Sequence, residues 1–163
     1  MEIVEYTEQF RNDLTKLLGL NRIELAKLRS IQRQLDLKAA KEELEYYLDK
    51  KYPIYLAIDE TESILGFTVC KIEDDVVWDE LLYVIPEMRR NGVGSALFAK
   101  AEEIAQSLGR ETLYNWVHPN NYRSIPFLKK QGYNVLNLIE VRKKVETDNL
   151  TQKIQVGKFE FDY

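Results

Sequence analysis

Residues 84–95 read VIPEMRRNGVGS, and a run of apolar residues at helical spacing follows at once from 96 to 108. The pattern predicts a strand, a turn with two arginines and two glycines, and an amphipathic helix. The first turn of a helix leaves backbone N–H groups without intrahelical acceptors, and the helix dipole adds positive charge there. Gly92 and Gly94 would let a phosphate approach the backbone closely, and the arginines would add donors. The segment therefore predicts a site for a phosphorylated ligand.

Two common nucleotide motifs do not fit this segment. A dinucleotide fingerprint needs a third glycine three residues after Gly94, where the chain has Leu97, and a P-loop ends in Gly-Lys-Ser/Thr, which is absent. The pattern that remains is Arg/Gln-x-x-Gly-x-Gly/Ala, met by Arg89, Gly92 and Gly94. It resembles motif A of the GNAT superfamily of acyl-CoA-dependent N-acetyltransferases, and residues 82–87 resemble the strand that leads into that motif.

A second segment carries the same resemblance. Residues 121–133 read NYRSIPFLKKQGY, which is similar to the family's later segment Asn-x-x-Ala-Ile-x-Phe-Tyr-x-x-x-Gly-Phe at matching spacing. The resemblance covers roughly residues 53–145. It implies an α/β fold with a mixed, mostly antiparallel central sheet of six to seven strands, flanked by about four helices. It also implies direct transfer of an acetyl group from acetyl-CoA to a primary amine in a ternary complex, without a metal.

The resemblance also implies which residues hold the cofactor. Backbone groups of the strand before the turn would bind the pantetheine arm, and backbone N–H groups of the turn would hold the pyrophosphate. Asn121 would meet the arm from the other side, although it can equally be a plain helix cap. The implied cofactor residues are Leu82, Tyr83, Val84, Arg89, Arg90, Asn91, Gly92, Val93, Gly94, Ser95, Asn121 and Phe127.

Glu80 is the first candidate for a catalytic residue. It precedes Leu82 and Val84 by two and four positions, so strand alternation predicts that the three side chains share a face. A carboxylate on the cofactor side could accept the ammonium proton or attract a cationic substrate. The alternative is an exposed strand residue in an acidic hairpin that also contains Asp79.

The other proton carriers are less well defined by sequence. His118, the single histidine, follows a predicted strand and is a rival base, although a structural role in the loop is the alternative. Many family members have a tyrosine at the position of Leu128 that can protonate the thiolate of CoA, and leucine has no such proton. Tyr122 and Tyr133 are the nearest tyrosines in sequence.

Composition favours one enzyme domain over residues 1–163. The chain has 163 residues, 45% hydrophobic and 31% charged, and a formal net charge of −4, which argues against nucleic acid as a partner. We expect a cytoplasmic protein without a membrane partner, because no cationic leader or long apolar run is present. The single cysteine, Cys70, lies among apolar residues, which indicates a buried side chain and excludes a disulfide scaffold within a monomer.

Periodicity and turn residues also predict the order of elements. Gly19 is expected to end a first helix that begins at 7–8, and Asp36 to cap a second piece of a helical region over 22–50. Further helices are predicted over 93–108 and from 120 or 121 to 131. Strands are predicted at 3–6, 54–58, 63–72, 76–85, 112–117, 133–136, 138–145 and 157–161, with a hairpin turn at 73–75.

Two further functions stay open at this point. One is a protein N-terminal or lysine acetyltransferase, which the acidic balance favours slightly because it would attract basic segments. The other is a non-catalytic, acyl-CoA-binding regulatory module, which the leucine at position 128 suggests. The alternating residues 153–161 could pair with the protein's own sheet or with a neighbour's edge, as in a homodimer.

Overall fold

The computed structural model describes residues 1–74 and 76–163, which divide into two compact units. The sheet unit comprises Met1–Lys27 and Ile31–Trp116, and the C-terminal unit comprises Leu28–Ser30 and Val117–Tyr163. A single domain over residues 1–163 stays a prediction. Of the predicted turn at 73–75, Asp75 lies outside the described residues.

Five strands form the sheet among the described residues of the sheet unit. In spatial order they are β1 (Glu2–Glu5), β2 (Ile54–Ile58), β3 (Ile64–Glu73), β4 (Val76–Val84) and β5 (Tyr114–Asn115). The first four strands pair antiparallel, and β5 pairs parallel to β4. The predicted mixed, mostly antiparallel sheet is confirmed. It has fewer strands than expected because two further strands form a separate hairpin in the C-terminal unit.

Helices cover both faces of this sheet. Helices α1 (Arg11–Lys27) and α2 (Leu37–Asp49) pack on one face, and α3 (Val93–Ser107) packs on the other. Neighbouring residues of β2 show the alternation, because Leu56 joins the core under α1 and α2 whereas Ala57 packs with residues of α3. The period-two pattern of the strands thus fixes which helix each side chain meets.

Gly19 does not end the first helix. It lies inside α1, which continues to Lys27, and a Cβ atom at this position would lie 2.6 Å from Cδ1 of Leu35. The glycine therefore leaves room for the chain that returns after α1. The expected cap of the second piece is confirmed, since the Asp36 carboxylate accepts the Ala39 N–H at 2.9 Å where α2 begins.

The C-terminal unit contains α4 (Ser124–Lys130) and a hairpin of β6 (Lys153–Val156) and β7 (Phe159–Asp162). The alternating tail therefore pairs with itself. The predicted strands at 133–136 and 138–145 are wrong, because residues 133–145 are not in a strand. Val135, Leu136 and Leu138 are 90%, 71% and 80% exposed. An alternating pattern defines a face, but a strand also needs a hydrogen-bonding neighbour, which sequence periodicity does not supply.

A close approach of β3 and β4 fixes the carboxyl end of β4. Gly66 pairs with Val84, and a Cβ atom on Gly66 would lie 2.6 Å from the backbone oxygen of Tyr83. Only a residue without a side chain fits there. The chain then enters α3 from a defined position at the end of the strand. Among the described residues, no helix is both long and apolar enough to cross a bilayer.

Candidate functional site

The turn between β4 and α3 forms an open cradle of backbone groups. Gly92 has a left-handed φ of 85° and directly precedes Val93, the first residue of the helix. The Ala96 N–H donates to the Gly92 oxygen at 3.0 Å, so the N–H groups of Val93 and Gly94 precede the first intrahelical bond. A Cβ atom on Gly92 would meet nothing within 4 Å. The predicted helix start is confirmed, and the space before it suits an anion.

Packing holds this helix start against the sheet. Val93 and Leu97 are 1% and 0% exposed and pack with Ala57 and Leu65. In contrast, the turn residues Arg90, Asn91 and Gly92 are exposed. The side chain of Val93 thus belongs to the core, while its backbone lies at the cradle. Buried apolar contacts on one side of the turn therefore orient polar backbone groups on the other.

The two arginines of the turn differ in their surroundings. Arg90 is exposed and has a left-handed φ of 66°, which is strained for a residue with a Cβ atom. Arg89 instead donates from Nη2 to the Glu24 carboxylate at 2.8 and 2.9 Å. Its Nε donates to the Val84 oxygen at 2.9 Å. The sequence predicted cofactor contacts for both arginines, and Arg89 already uses donors within the protein.

A gap opens beside β4 on the side away from β3. The strands β4 and β5 pair only as Trp78 with Tyr114 and Asp79 with Asn115. From Glu80 onward, no strand among the described residues pairs with this edge of β4. The family resemblance placed the pantetheine arm along this stretch, which includes Leu82, Tyr83 and Val84. The backbone edge that it requires is present.

Glu80 occupies a β-bulge, which corrects its predicted face. Val69 pairs with Leu81 and Cys70 pairs with Asp79, so Glu80 has no counterpart on β3. Its carboxylate interacts electrostatically with Glu43 and Tyr47 of α2. Leu82 and Val84 instead pack on the face of α3. The extra residue breaks the alternation on which the prediction relied, and Glu80 lies on the α2 side.

The environment of Glu80 favours proton uptake. Burial raises the pKa of its carboxyl group; Lys71 opposes this shift, and the carboxylates of Glu43 and Glu73 reinforce it. Its Oε2 atom is buried and accepts no hydrogen bond from the described residues. A partly buried carboxylate that has an oxygen without a donor and lies near other carboxylates is a better base than an exposed one. This arrangement can accept a proton from an incoming ammonium group.

The charged residues that interact electrostatically with Glu80 have partners of their own. Glu43 accepts hydrogen bonds from Tyr47 at 2.9 Å and from Arg22 at 2.7 Å. On β3, Glu73 accepts the Tyr52 hydroxyl at 2.8 Å and pairs with Lys71 at 3.1 Å. The Lys71 Nζ lies 5.4 and 5.1 Å from the ring centroids of Trp78 and Trp116. Tyr47 is a core residue that is 4% exposed, whereas Tyr46 is 47% exposed.

Asp79 is a buried carboxyl group that the sequence interpretation missed. It is 8% exposed and accepts the Thr68 hydroxyl at 2.9 Å. Burial raises its pKa to about 7, with Thr68 acting in the opposite direction and Glu80 adding to the shift. Strand alternation was the available signal, because Asp79 lies two residues after Val77 and so shares its buried face. The neighbouring Cys70 is fully buried, which confirms the sequence interpretation, and burial raises the pKa of its thiol to about 12.

His118 belongs to the C-terminal unit, where it closes a turn. Its Nδ1 accepts the Asn120 N–H at 3.1 Å, and its backbone oxygen accepts the Asn121 N–H at 2.8 Å. The neutral imidazole then carries its proton on Nε2, which leaves no second lone pair for a proton. Burial and the charge of Arg29 also lower its pKa. These contacts favour the structural role of His118 over the role of a base.

The remaining predicted residues of the C-terminal unit lie in or near α4. The Asn121 Oδ1 accepts the Ser124 N–H at 3.0 Å, which is the helix-cap alternative. Tyr122 is 71% exposed, Phe127 is half-buried, and Leu128 is 9% exposed. The cofactor roles of Asn121 and Phe127 and the catalytic role of Tyr122 stay predictions.

The sequence profile of the Acetyltransferase (GNAT) family matches residues 20–133, which is more than half of the chain. The chain therefore belongs to the GNAT family, whose members use acetyl-CoA.

Individual relatives agree with this assignment. An uncharacterized N-acetyltransferase of Methanocaldococcus jannaschii is 34% identical over 59 residues, which are 36% of this chain and 26% of that protein. The aminoglycoside antibiotic 6'-N-acetyltransferase of Acinetobacter haemolyticus has a TM-score of 0.67 at 19% identity, over 90% of this chain and 100% of that one. The enzyme AAC(6')-Iy, in complex with the bisubstrate analogue CoA-S-monomethyl-acetylneamine, has a TM-score of 0.64 at 17% identity, over 88% and 98%. The two structures establish likeness of fold.

The buried Asp79 predicts a pH dependence of stability. Its folded pKa of about 7 lies above the ordinary value of 3.8, so its protonation stabilises the fold at low pH and this contribution disappears as the pH rises toward 7. Asp79→Asn keeps an acceptor for Thr68 without a titratable group. Urea unfolding across this pH window should show the wild type losing stability relative to the variant.

A control with the opposite sign is Asp59→Asn. Donors from Thr61 and Ser63 lower the pKa of Asp59, so the wild type should lose stability relative to this variant as the pH falls. A difference between wild type and Asp79→Asn that stays constant with pH would contradict the assignment of Asp79.

Proposed function

We propose that the protein is an N-acetyltransferase that transfers the acetyl group of acetyl-CoA to a primary amine. The observation that carries the proposal is the order of features along β4. The bulge at Glu80 lies at the start of the unpaired edge, and the cradle at Gly92 follows the end of the strand. One strand thus carries a proton acceptor, an edge for an extended arm and a cradle for a diphosphate.

The cradle supports binding of CoA. The N–H groups of Val93 and Gly94 and the positive end of the α3 dipole would stabilise the diphosphate. Arg90, which is exposed beside them, would add a charge-assisted contact. The open space at the Cβ position of Gly92 is the local feature that fits a closely approaching phosphate. The groups along the outer edge of β4 would hydrogen-bond the pantetheine arm.

The chemistry needs a neutral amine held beside the thioester. Glu80 would accept the proton of the acceptor ammonium, directly or through water, so that the nitrogen lone pair can attack the carbonyl carbon. The new C–N bond then replaces the C–S bond, and the thiolate of CoA leaves. Glu43 and Glu73 beside Glu80 would favour a cationic acceptor over a neutral one.

The proposed acceptor is a primary amine, without a more specific compound. The similar fold of aminoglycoside N-acetyltransferases supports an amine with several positive charges as the acceptor. An amino group of a protein is the alternative. A non-catalytic acyl-CoA-binding module is the outcome if CoA binds without turnover. The direct test is thiol release from acetyl-CoA with a panel of small amines, aminoglycosides and basic peptides. If no acceptor in the panel gave thiol release above background, the proposal would be contradicted.

Replacing Glu80 should separate catalysis from binding. With Glu80→Gln, kcat should fall by about a hundredfold or more, because the amine keeps its proton. The acidic limb of the pH profile, which reports protonation of the base, should disappear as well. Glu42→Gln serves as a control. Glu42 lies on α2 and its side chain is 68% exposed, so this change should leave kcat unchanged. An unchanged kcat and pH profile in Glu80→Gln would exclude it as the base.

A pair of glycine variants tests the cradle. Gly92 and Gly109 flank α3, have left-handed φ values of 85° and 72°, and offer open space to a Cβ atom. Alanine at either position should cost similar stability, on the order of 1 kcal/mol, because of backbone strain. Only Gly92→Ala should weaken CoA binding in calorimetry, by about tenfold or more. Equal CoA affinity in the two variants would place the diphosphate elsewhere.

A further inference from the structure

Arg89 links three parts of the sheet unit at the entrance to the cradle. Its Nη2 donates to both carboxylate oxygens of Glu24 at 2.8 and 2.9 Å, and its Nε donates to the Val84 oxygen at 2.9 Å. The guanidinium carbon lies 5.7 Å from the ring centroid of Tyr83. The side chains of Arg89 and Glu24 are only 25% and 29% exposed. One side chain thus joins the last turns of α1, the end of β4 and the first residue of the turn.

This geometry differs from that of a phosphate-binding arginine. A ligand arginine needs an unbalanced charge and free parallel donors. In Arg89 the charge is balanced by Glu24, and both Nε and Nη2 already donate to protein oxygens. A diphosphate at the remaining Nη1 donors would have to share a guanidinium whose charge Glu24 already balances. Arg90, one residue later, is exposed, whereas Arg89 is held by Glu24 and the Val84 oxygen.

We propose that Arg89 and Glu24 form a clamp that positions the cradle and that Arg89 is not a ligand of the diphosphate. The inference rests on the proposed function for its ligand. The clamp holds the residue at which the chain leaves β4, so it limits the directions in which the backbone N–H groups of the turn can point. A cradle that is already ordered binds its ligand more tightly, because less conformational entropy is lost on binding.

The two roles of Arg89 predict opposite effects of changes at Glu24. If Arg89 contacted the diphosphate, removing the negative charge of Glu24 would free the guanidinium, and CoA would bind as tightly as before or more tightly. If Arg89 acts through the clamp, the same change releases the turn, and CoA binds more weakly. Glu24 is an anion and cannot attract the diphosphate itself, so weaker binding has no direct electrostatic explanation.

The experiment measures CoA affinity by calorimetry in the full chain. Glu24→Gln and Glu24→Ala should each weaken CoA binding by about tenfold, and Arg89→Gln should do the same. The double variant Glu24→Ala with Arg89→Gln should be no weaker than either single variant, because the two residues act as one unit. Asp13→Asn removes the same charge from the first turn of α1 and should leave the affinity unchanged.

Hydrogen exchange without CoA gives a readout that does not depend on binding. The amides of residues 89–95 should exchange faster in Glu24→Ala than in the wild type, and thermal unfolding checks that the variant is folded. Wild-type affinity in both Glu24 variants, with weakened binding only in Arg89→Gln, would overturn the clamp. Unchanged exchange would overturn it as well. Absence of CoA binding in the wild type would instead contradict the proposed function, and the exchange rates would still decide whether the clamp orders the turn.

Discussion

The structure depends on how α3 begins after the turn that follows β4: its first backbone amides face the cradle, and its first side chain is buried. Val93 is 1% exposed in the core, whereas Gly92 turns the chain through a left-handed conformation that other residues adopt at a cost. At the other side of the strand end, the absence of a side chain on Gly66 lets β3 approach β4 closely. Apolar packing and the two glycines thus orient the backbone N–H groups at the start of α3, which have no acceptor within the helix.

The β-bulge in β4 gives the adjacent carboxyl groups of Asp79 and Glu80 different surroundings. The bulge sends Glu80 toward α2, while Asp79 stays paired with Cys70 and bonded to Thr68. Burial raises both pKa values, but only Glu80 has a buried oxygen without a hydrogen-bond donor among the described residues. The proposed proton acceptor and its buried neighbour therefore differ in their hydrogen bonds, although they are adjacent in sequence.

Local patterns in the sequence predicted the parts of the structure that local forces determine. The strand–turn–helix at 84–108, the strands at 54–58 and 76–85 and the cap at Asp36 needed only periodicity, glycine and capping residues. Three features needed information from distant parts of the chain. The bulge at Glu80 depends on the register with β3, and the engagement of Arg89 depends on Glu24, which lies 65 positions earlier. The residues at 133–145 have the alternation of strands but are not in one.

Amide chemical shifts measured by nuclear magnetic resonance can locate the diphosphate on the backbone. CoA and pantetheine share the arm, but only CoA carries the diphosphate. We expect CoA to shift the amide resonances of residues 92–94, whereas pantetheine should shift those of residues 82–84 and leave the cradle unchanged. Equal shifts at residues 92–94 with both ligands, or no shift there with CoA, would contradict a diphosphate held by the backbone at the start of α3.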